Sequence, residues 1–136
     1  MPKPKVLYLS YTGLMEPLGR SQILPYLSRL SDEYEFTIVS FEKVEDLKNI
    51  NAVKKLHREC NQYGISWKPT KYHDKPRLLA TVYDLLNLIY LTYTYCKGSN
   101  TQIVHCRSYI PTISAWLVSK VSKTPFIFDM RALWPE

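Results

Sequence analysis

Glycine is scarce in this chain, four residues in 136, and none of the usual glycine-rich phosphate fingerprints is present. Neither G-x-G-x-x-G nor a P-loop with its lysine occurs, which excludes a standard dinucleotide or nucleoside-triphosphatase site. Cysteine is also sparse: Cys60, Cys96 and Cys106 are odd in number and show no C-x-x-C or other paired spacing. That pattern argues against a disulfide framework or a zinc site and fits a reducing, cytoplasmic compartment. His57 and Cys60 share a helical face but have no further ligands nearby in sequence, so no metal is expected. The first eleven residues lack a long apolar core followed by a small-residue cleavage site, and no secretion signal is read there. Basic residues are scattered rather than run together, which excludes a nucleic-acid arm.

What the chain does have is an ordinary globular composition, 46% hydrophobic and 22% charged, at a length that predicts one domain over residues 1–136. Eighteen Lys and Arg against twelve Asp and Glu leave a net charge of +6, which favours anionic partners such as phosphates, nucleotides or acidic membrane surfaces. Residues 78–96 approach membrane-spanning length, but Asp84, Asn87 and three threonines interrupt the run. A long helix lying against a sheet is the better reading, with Thr81, Asp84, Asn87 and Thr94 as a narrow wet stripe and the tyrosines (Tyr83, Tyr90, Tyr93, Tyr95) as core and interface.

Short apolar runs alternate with helical patterns along the whole length, the signature of βαβ units around a parallel sheet. Strands are predicted at residues 6–10, 36–41, 65–68, 103–106 and 125–128. A first helix begins near residues 19–22, because Pro25 is tolerated only in a first turn. A second runs from Val44 to Tyr63 on a three- or four-residue repeat and is closed by Gly64. The long helix follows a polar loop over residues 71–77, and a last one covers residues 114–122 after Pro111. Five strands with intervening helices predict an α/β, doubly wound Rossmann-like sheet of order 3-2-1-4-5.

In such sheets ligands bind outside the carboxyl ends of the strands, where the strand order reverses. That edge collects the loop around Gly13 and Gly19, then Arg20 and Ser21 at the helix start, Arg107-Ser108-Tyr109 after strand four, and Asp129 with Arg131, Trp134 and Glu136 after strand five. Arg20, Arg107 and Arg131 are expected to converge there on anionic groups, which guanidinium forks recognise bidentately. Gly13 and Gly19 either relieve a tight turn or let backbone N–H groups approach an anion. His105 reads as a hydrogen-bonded core histidine, and His73 supports no assignment.

Three stretches together resemble the amino-terminal domain of GT-B glycosyltransferases of the retaining family 4 type. They are VLYLSYTGLMEPLGRSQILPYLSRL, IVHCRSYIPTISAWLVSK and TPFIFDMRALWPE, in that order. The resemblance spans the chain and implies the acceptor-side half of a two-domain enzyme. The donor-binding carboxyl-terminal domain, with its paired glutamates, has no counterpart in the sequence. It implies transfer of a sugar from a nucleotide-sugar to a sugar or lipid-linked acceptor with retention of configuration, in polysaccharide or glycolipid biosynthesis, without cofactor or essential metal.

By that resemblance Gly13, Gly19, Arg20 and Ser21 contact the donor diphosphate, Arg107, Ser108 and Tyr109 lie on the acceptor side, and Asp129 and Arg131 are the catalytic candidates. Many relatives carry a histidine after the fifth strand, whereas this chain reads Phe128-Asp129-Met130-Arg131. The fragment is expected to be inactive by itself and to leave an apolar patch for its missing partner domain. An alternative is a self-contained nucleotide- or phosphate-binding module with a closed surface. A further partner considered is a membrane surface, met peripherally through residues 71–77 and the aromatic helix, as basic and aromatic residues favour interfaces.

Overall fold

A computed structural model describes residues 3–73, 77–98 and 100–130, the side chains of Leu18 and Arg77 excepted. Arg131, Trp134 and Glu136 lie outside the described residues. The elements run β1 (Lys5–Ser10), α1 (Pro17–Gln22), α2 (Leu24–Leu30), β2 (Glu35–Glu42), α3 (Val44–Leu47), α4 (Ile50–Gln62), β3 (Ser66–Lys71), α5 (Arg77–Gly98), β4 (Ile103–Arg107), α6 (Tyr109–Ser122) and β5 (Phe126–Asp129). The five strands form one sheet in the order β3-β2-β1-β4-β5, every neighbouring pair parallel. The predicted sheet and its order are therefore present.

Strand alternation divides the core between the two faces of the sheet. Val6, Tyr8, Phe36, Ile38 and Trp67 point to one side and pack with Ile23, Leu27 and Leu56 from α2, α4 and the α1–α2 junction. Leu7, Leu9, Val39, Phe41, Val104 and Cys106 point to the other, against Leu88 and Cys96 of α5 and Ala115 and Val118 of α6. Both faces of β1 and β2 are covered, which is why these strands read as continuous apolar runs rather than alternating ones. Each fully buried leucine among them contributes roughly 1.5–3 kcal/mol of transfer free energy.

Four local details differ from expectation. The first helix starts at Pro17 and breaks at Ile23, so that Pro25 falls in the first turn of α2, where its missing N–H costs nothing. The second helical segment is split at Lys48 and Asn49, and the Asn49 side chain caps α4 by accepting from the Ala52 amide at 3.2 Å. α6 begins at Tyr109, five residues ahead of prediction, with Pro111 inside its first turn.

The fourth concerns α5, whose faces are inverted. Ala80, Asp84, Leu88, Thr92 and Cys96, spaced four apart, are buried against the sheet, while Tyr83, Tyr90 and Tyr93 are exposed. Asp84 is thus no part of a wet stripe; its partners are described below.

Candidate functional site

The carboxyl edge of the sheet is organised by a buried carboxylate. Glu42 ends β2 with no solvent exposure and accepts hydrogen bonds from the Leu14 amide at 2.7 Å, the Met15 amide at 3.0 Å and the Ser40 hydroxyl. The Trp67 indole N–H donates to the Ser40 oxygen at 2.8 Å, which turns the hydroxyl proton toward Glu42. A carboxylate surrounded by donors alone suits the ionised form. Burial nevertheless pushes the Glu42 carboxyl above its usual range, the hydrogen bonds from Ser40, Met15 and Leu14 offsetting part of that.

This clamp explains the two loop glycines. A Cβ at Gly13 would sit 2.6 Å from the Glu42 Oε1, and one at Gly19 would sit 2.2 Å from the Gly13 carbonyl oxygen. Neither glycine has the positive φ found at Gly64, so close approach, not turn strain, requires them. Two loop amides that could face an anion are spent on Glu42. Arg20 is exposed and faces Glu59 of α4 at 3.9 Å, with Ser21 also exposed beside it.

Arg107 sits elsewhere. It ends β4 at 4% exposure, and its Nη2 donates to the Gln22 side-chain oxygen while Nη1 is buried without a partner among the described residues. Arg20 pairs with Glu59 and Arg107 with Gln22, and Arg20 lines an open cavity with Met15, Asp46 and Asn49. The two guanidinium groups are thus held by different partners, one on α4 and one on α1.

Around Arg107 the edge is crowded with polar groups. β4 and β5 pair Arg107 with Asp129 and His105 with Ile127, which sets His105, Arg107 and Asp129 on the same side of the sheet. His105 Nε2 lies 3.1 Å from Asp129 Oδ2, and its ring stacks on Tyr8 at 4.7 Å. An open cavity of about 540 Å³ is lined by Gln22, Tyr26, His105, Ile127, Phe128 and Asp129. Sequence reasoning assigned His105 to the core and passed over Gln22 and Tyr26. The available signal was strand alternation, since His105 stands two residues before Arg107.

Ser108 follows directly with φ 75° and ψ −167°, a region that side-chain-bearing residues avoid. Two bonds hold it there: its amide donates to the Asp129 carbonyl at 2.9 Å, and its own carbonyl accepts from the Thr112 hydroxyl at 2.7 Å. Tyr109, exposed, packs its ring 5.3 Å from Phe128. Arg107, Ser108, Tyr109 and Asp129 are thus brought together, and the Arg107–Gln22 bond ties them to α1, which carries Gly19, Arg20 and Ser21.

A second polar cluster was not foreseen. Asp84, fully buried on α5, accepts from the Tyr11 hydroxyl at 2.9 Å and the His73 amide at 3.0 Å, with His73 Nδ1 at 2.7 Å. Burial, then the Asp84 bond, raises the Tyr11 pKa. This ties the ends of β1 and β3 to α5. No group of three His, Cys, Asp or Glu side chains placed to hold a metal occurs among the described residues.

No family model matches the chain, and no curated protein matches it. Solved structures do. A hydrogenase carboxyl-terminal domain from Pyrococcus furiosus superposes with TM-score 0.63 at 16% identity, covering 96% of this chain and 94% of that one. A glycosyltransferase from Rickettsia africae superposes with TM-score 0.59 at 19% identity over 94% of this chain and 30% of its own. The fold is α/β, Rossmann-like. These identities carry architecture only, and the architecture is one that a glycosyltransferase also uses. No helix among the described residues is long and apolar enough to cross a membrane.

Proposed function

We propose that the chain is the acceptor-side domain of a GT-B glycosyltransferase, transferring a sugar from a nucleotide-sugar with retention of configuration. The observation that carries this reading is the cavity at the carboxyl ends of β4 and β5, lined by the His105–Asp129 pair and by Gln22, behind which Arg107 is buried next to a strained Ser108. An acceptor hydroxyl entering it finds the Asp129 carboxylate to accept its hydrogen bond, and the unpartnered Arg107 Nη1 adds positive charge nearby. Gly13, Gly19, Arg20 and Ser21 are assigned to the donor diphosphate, with Arg20 as the charged contact because Glu42 occupies the Leu14 and Met15 amides. The likeness to the Rickettsia glycosyltransferase supports the reading at the level of the fold.

In this proposal a second domain of the same polypeptide binds the nucleotide and most of the sugar. The apolar side chains left open on β5, Ile127 at 46% and Phe128 at 42% exposure, suit further packing there. The test is nucleoside diphosphate release from a panel of nucleotide-sugars by the polypeptide carrying both domains, with and without Asp129→Ala. The expected result is acceptor-dependent release that the substitution lowers strongly while the fold persists. No release with any donor contradicts the proposal.

A second reading, a binding module without catalysis, draws on the hydrogenase domain, a chain of nearly the same extent. It predicts that this chain alone binds nucleoside diphosphates tightly, which the transferase reading does not.

A further inference from the structure

α5 and α6 lie side by side over one face of the sheet, and their outer surface is unusual in both polarity and charge. Along α5, Leu79, Tyr83, Leu86, Tyr90 and Tyr93 recur at three- and four-residue spacing and are 44–67% exposed. Beside them on α6 stand Trp116, Leu117 and Val121, between 38% and 60% exposed. Globular monomers rarely leave so many large apolar side chains contiguous in water.

The charge is as one-sided as the polarity. The only acidic residue on either helix is Asp84, and it is turned inward and fully buried. The exposed charges are basic: Lys97 in the last turn of α5, Lys120 near the end of α6 and Lys123 just past it. Lys120 lies over the Trp116 ring at 4.3 Å, its charge held at the edge of the apolar surface. Of the other acids, Glu16, Asp32, Glu33, Glu35, Glu42, Glu45, Asp46 and Glu59 precede β3 in the chain, and Asp74, Asp129 and Glu136 lie after β3 but on neither helix.

We propose that the outer face of α5 and α6 is a docking surface for an anionic lipid bilayer. Three physical features select that occupant. Tyrosine and tryptophan prefer the boundary between headgroups and acyl chains, aliphatic residues among them enter the acyl region, and lysines at the margin meet lipid phosphates. α5, at 22 residues, extends about 33 Å, long enough to lie along the surface as an interfacial helix. A second copy is disfavoured, because two such faces would bring Lys97, Lys120 and Lys123 against one another with no acid to neutralise them. The sequence pointed to residues 71–77 together with the aromatic helix; the surface proposed keeps that helix, α5, and pairs it with α6 in place of the loop. It also stands apart from the carboxyl-edge cavity and does not depend on sugar transfer.

Co-sedimentation with phosphatidylcholine vesicles, with and without phosphatidylglycerol, tests it directly. The wild-type chain should bind the anionic vesicles, and added salt should weaken binding. Leu86→Asp with Tyr90→Asp should reduce binding about tenfold or more, as should Lys97→Glu with Lys120→Glu and Lys123→Glu. Ile50→Asp, exposed on α4 at 63%, should leave it unchanged. Far-ultraviolet circular dichroism of each variant should match wild type, since every substituted side chain is exposed.

Absence of binding to anionic vesicles overturns the proposal. So does binding that survives both surface variants, or a concentration-dependent dimer in place of vesicle binding, abolished by Leu86→Asp and Tyr90→Asp. If a longer polypeptide containing the chain does not bind vesicles while the isolated chain does, another segment covers the face and the proposal again fails.

Discussion

Replacing Glu42 with glutamine keeps the shape of the side chain and removes its charge, which isolates what the carboxylate does for the strand-one loop. Three donors converge on its two oxygens: the Leu14 amide, the Met15 amide and the Ser40 hydroxyl. A glutamine has one acceptor oxygen, so its NH2 group must face at least one of these donors. One buried N–H then loses its partner, at about 1–3 kcal/mol, and the bonds that remain lose their charge assistance. Against that stands the desolvation of a carboxylate, which the variant no longer bears.

We therefore expect net destabilisation of about 1–3 kcal/mol, a fall in Tm of roughly 3–10 °C for a domain of this size. The pH dependence supplies a second signature. Burial raises the folded-state pKa of Glu42 above its ordinary value of 4.5, so the folded chain holds this proton more tightly than the unfolded one. Wild-type stability from this group is greatest below the ordinary pKa and declines as pH rises through the raised one. The variant lacks that decline, and its deficit should be larger at acidic than at neutral pH. Thermal unfolding followed by circular dichroism between about pH 4 and 8 measures both effects. A Glu42→Gln variant with wild-type Tm and the same pH slope would refute the idea that this carboxylate holds the loop.

Gly19→Ala should destabilise by about 1–3 kcal/mol or more, because the added methyl meets the Gly13 carbonyl oxygen at 2.2 Å and backbone must move; urea midpoints measure it. Ser108→Gly should stabilise by about 0.5–1 kcal/mol, since φ 75° is open to glycine and no side-chain cap is lost; an unchanged or lower urea midpoint would argue against strain there. The three cysteines should resist a thiol reagent in the folded chain and all react in denaturant. All are buried, and burial pushes Cys106 up to about 12, Cys60 up to about 11 and Cys96 upward. Rapid labelling of any of them under native conditions would contradict that packing.

The sheet was legible because its information is local. Runs such as FTIVSF announce strands from their own composition, and the right-handed crossover rule then leaves few strand orders to choose from. Pro25 required a helix start close before it for an equally local reason, its missing N–H, although the break at Ile23 that provides that start was not read.

What escaped was set by contacts distant in sequence. Asp84 looks like part of a polar stripe until the Tyr11 hydroxyl, 73 residues away, and His73 are seen to satisfy it inside the protein. With Asp84 turned inward, the apolar tyrosine-rich side of α5 faces outward, the reverse of what amphipathic spacing suggests. Glu42 is similarly opaque: nothing in its neighbourhood announces that its carboxylate reaches back 28 residues to the Leu14 amide. His105 was legible in principle, as a polar residue in phase with Arg107 on β4, but a lone histidine in an apolar strand gives no hint that Asp129 waits on the next strand. The loop glycines were located correctly, while their requirement for close approach could be seen only once Glu42 was in place.

The central claim is that the cavity at the carboxyl ends of β4 and β5 receives the acceptor. Amide chemical shifts of the isotope-labelled chain, followed while candidate acceptor sugars and lipid-linked sugars are added, test it residue by residue. The account predicts saturable shifts centred on Gln22, Tyr26, His105, Ser108 and Asp129, reduced by Asp129→Ala. Saturable shifts confined to other parts of the chain, or an unaltered response in Asp129→Ala, would contradict it.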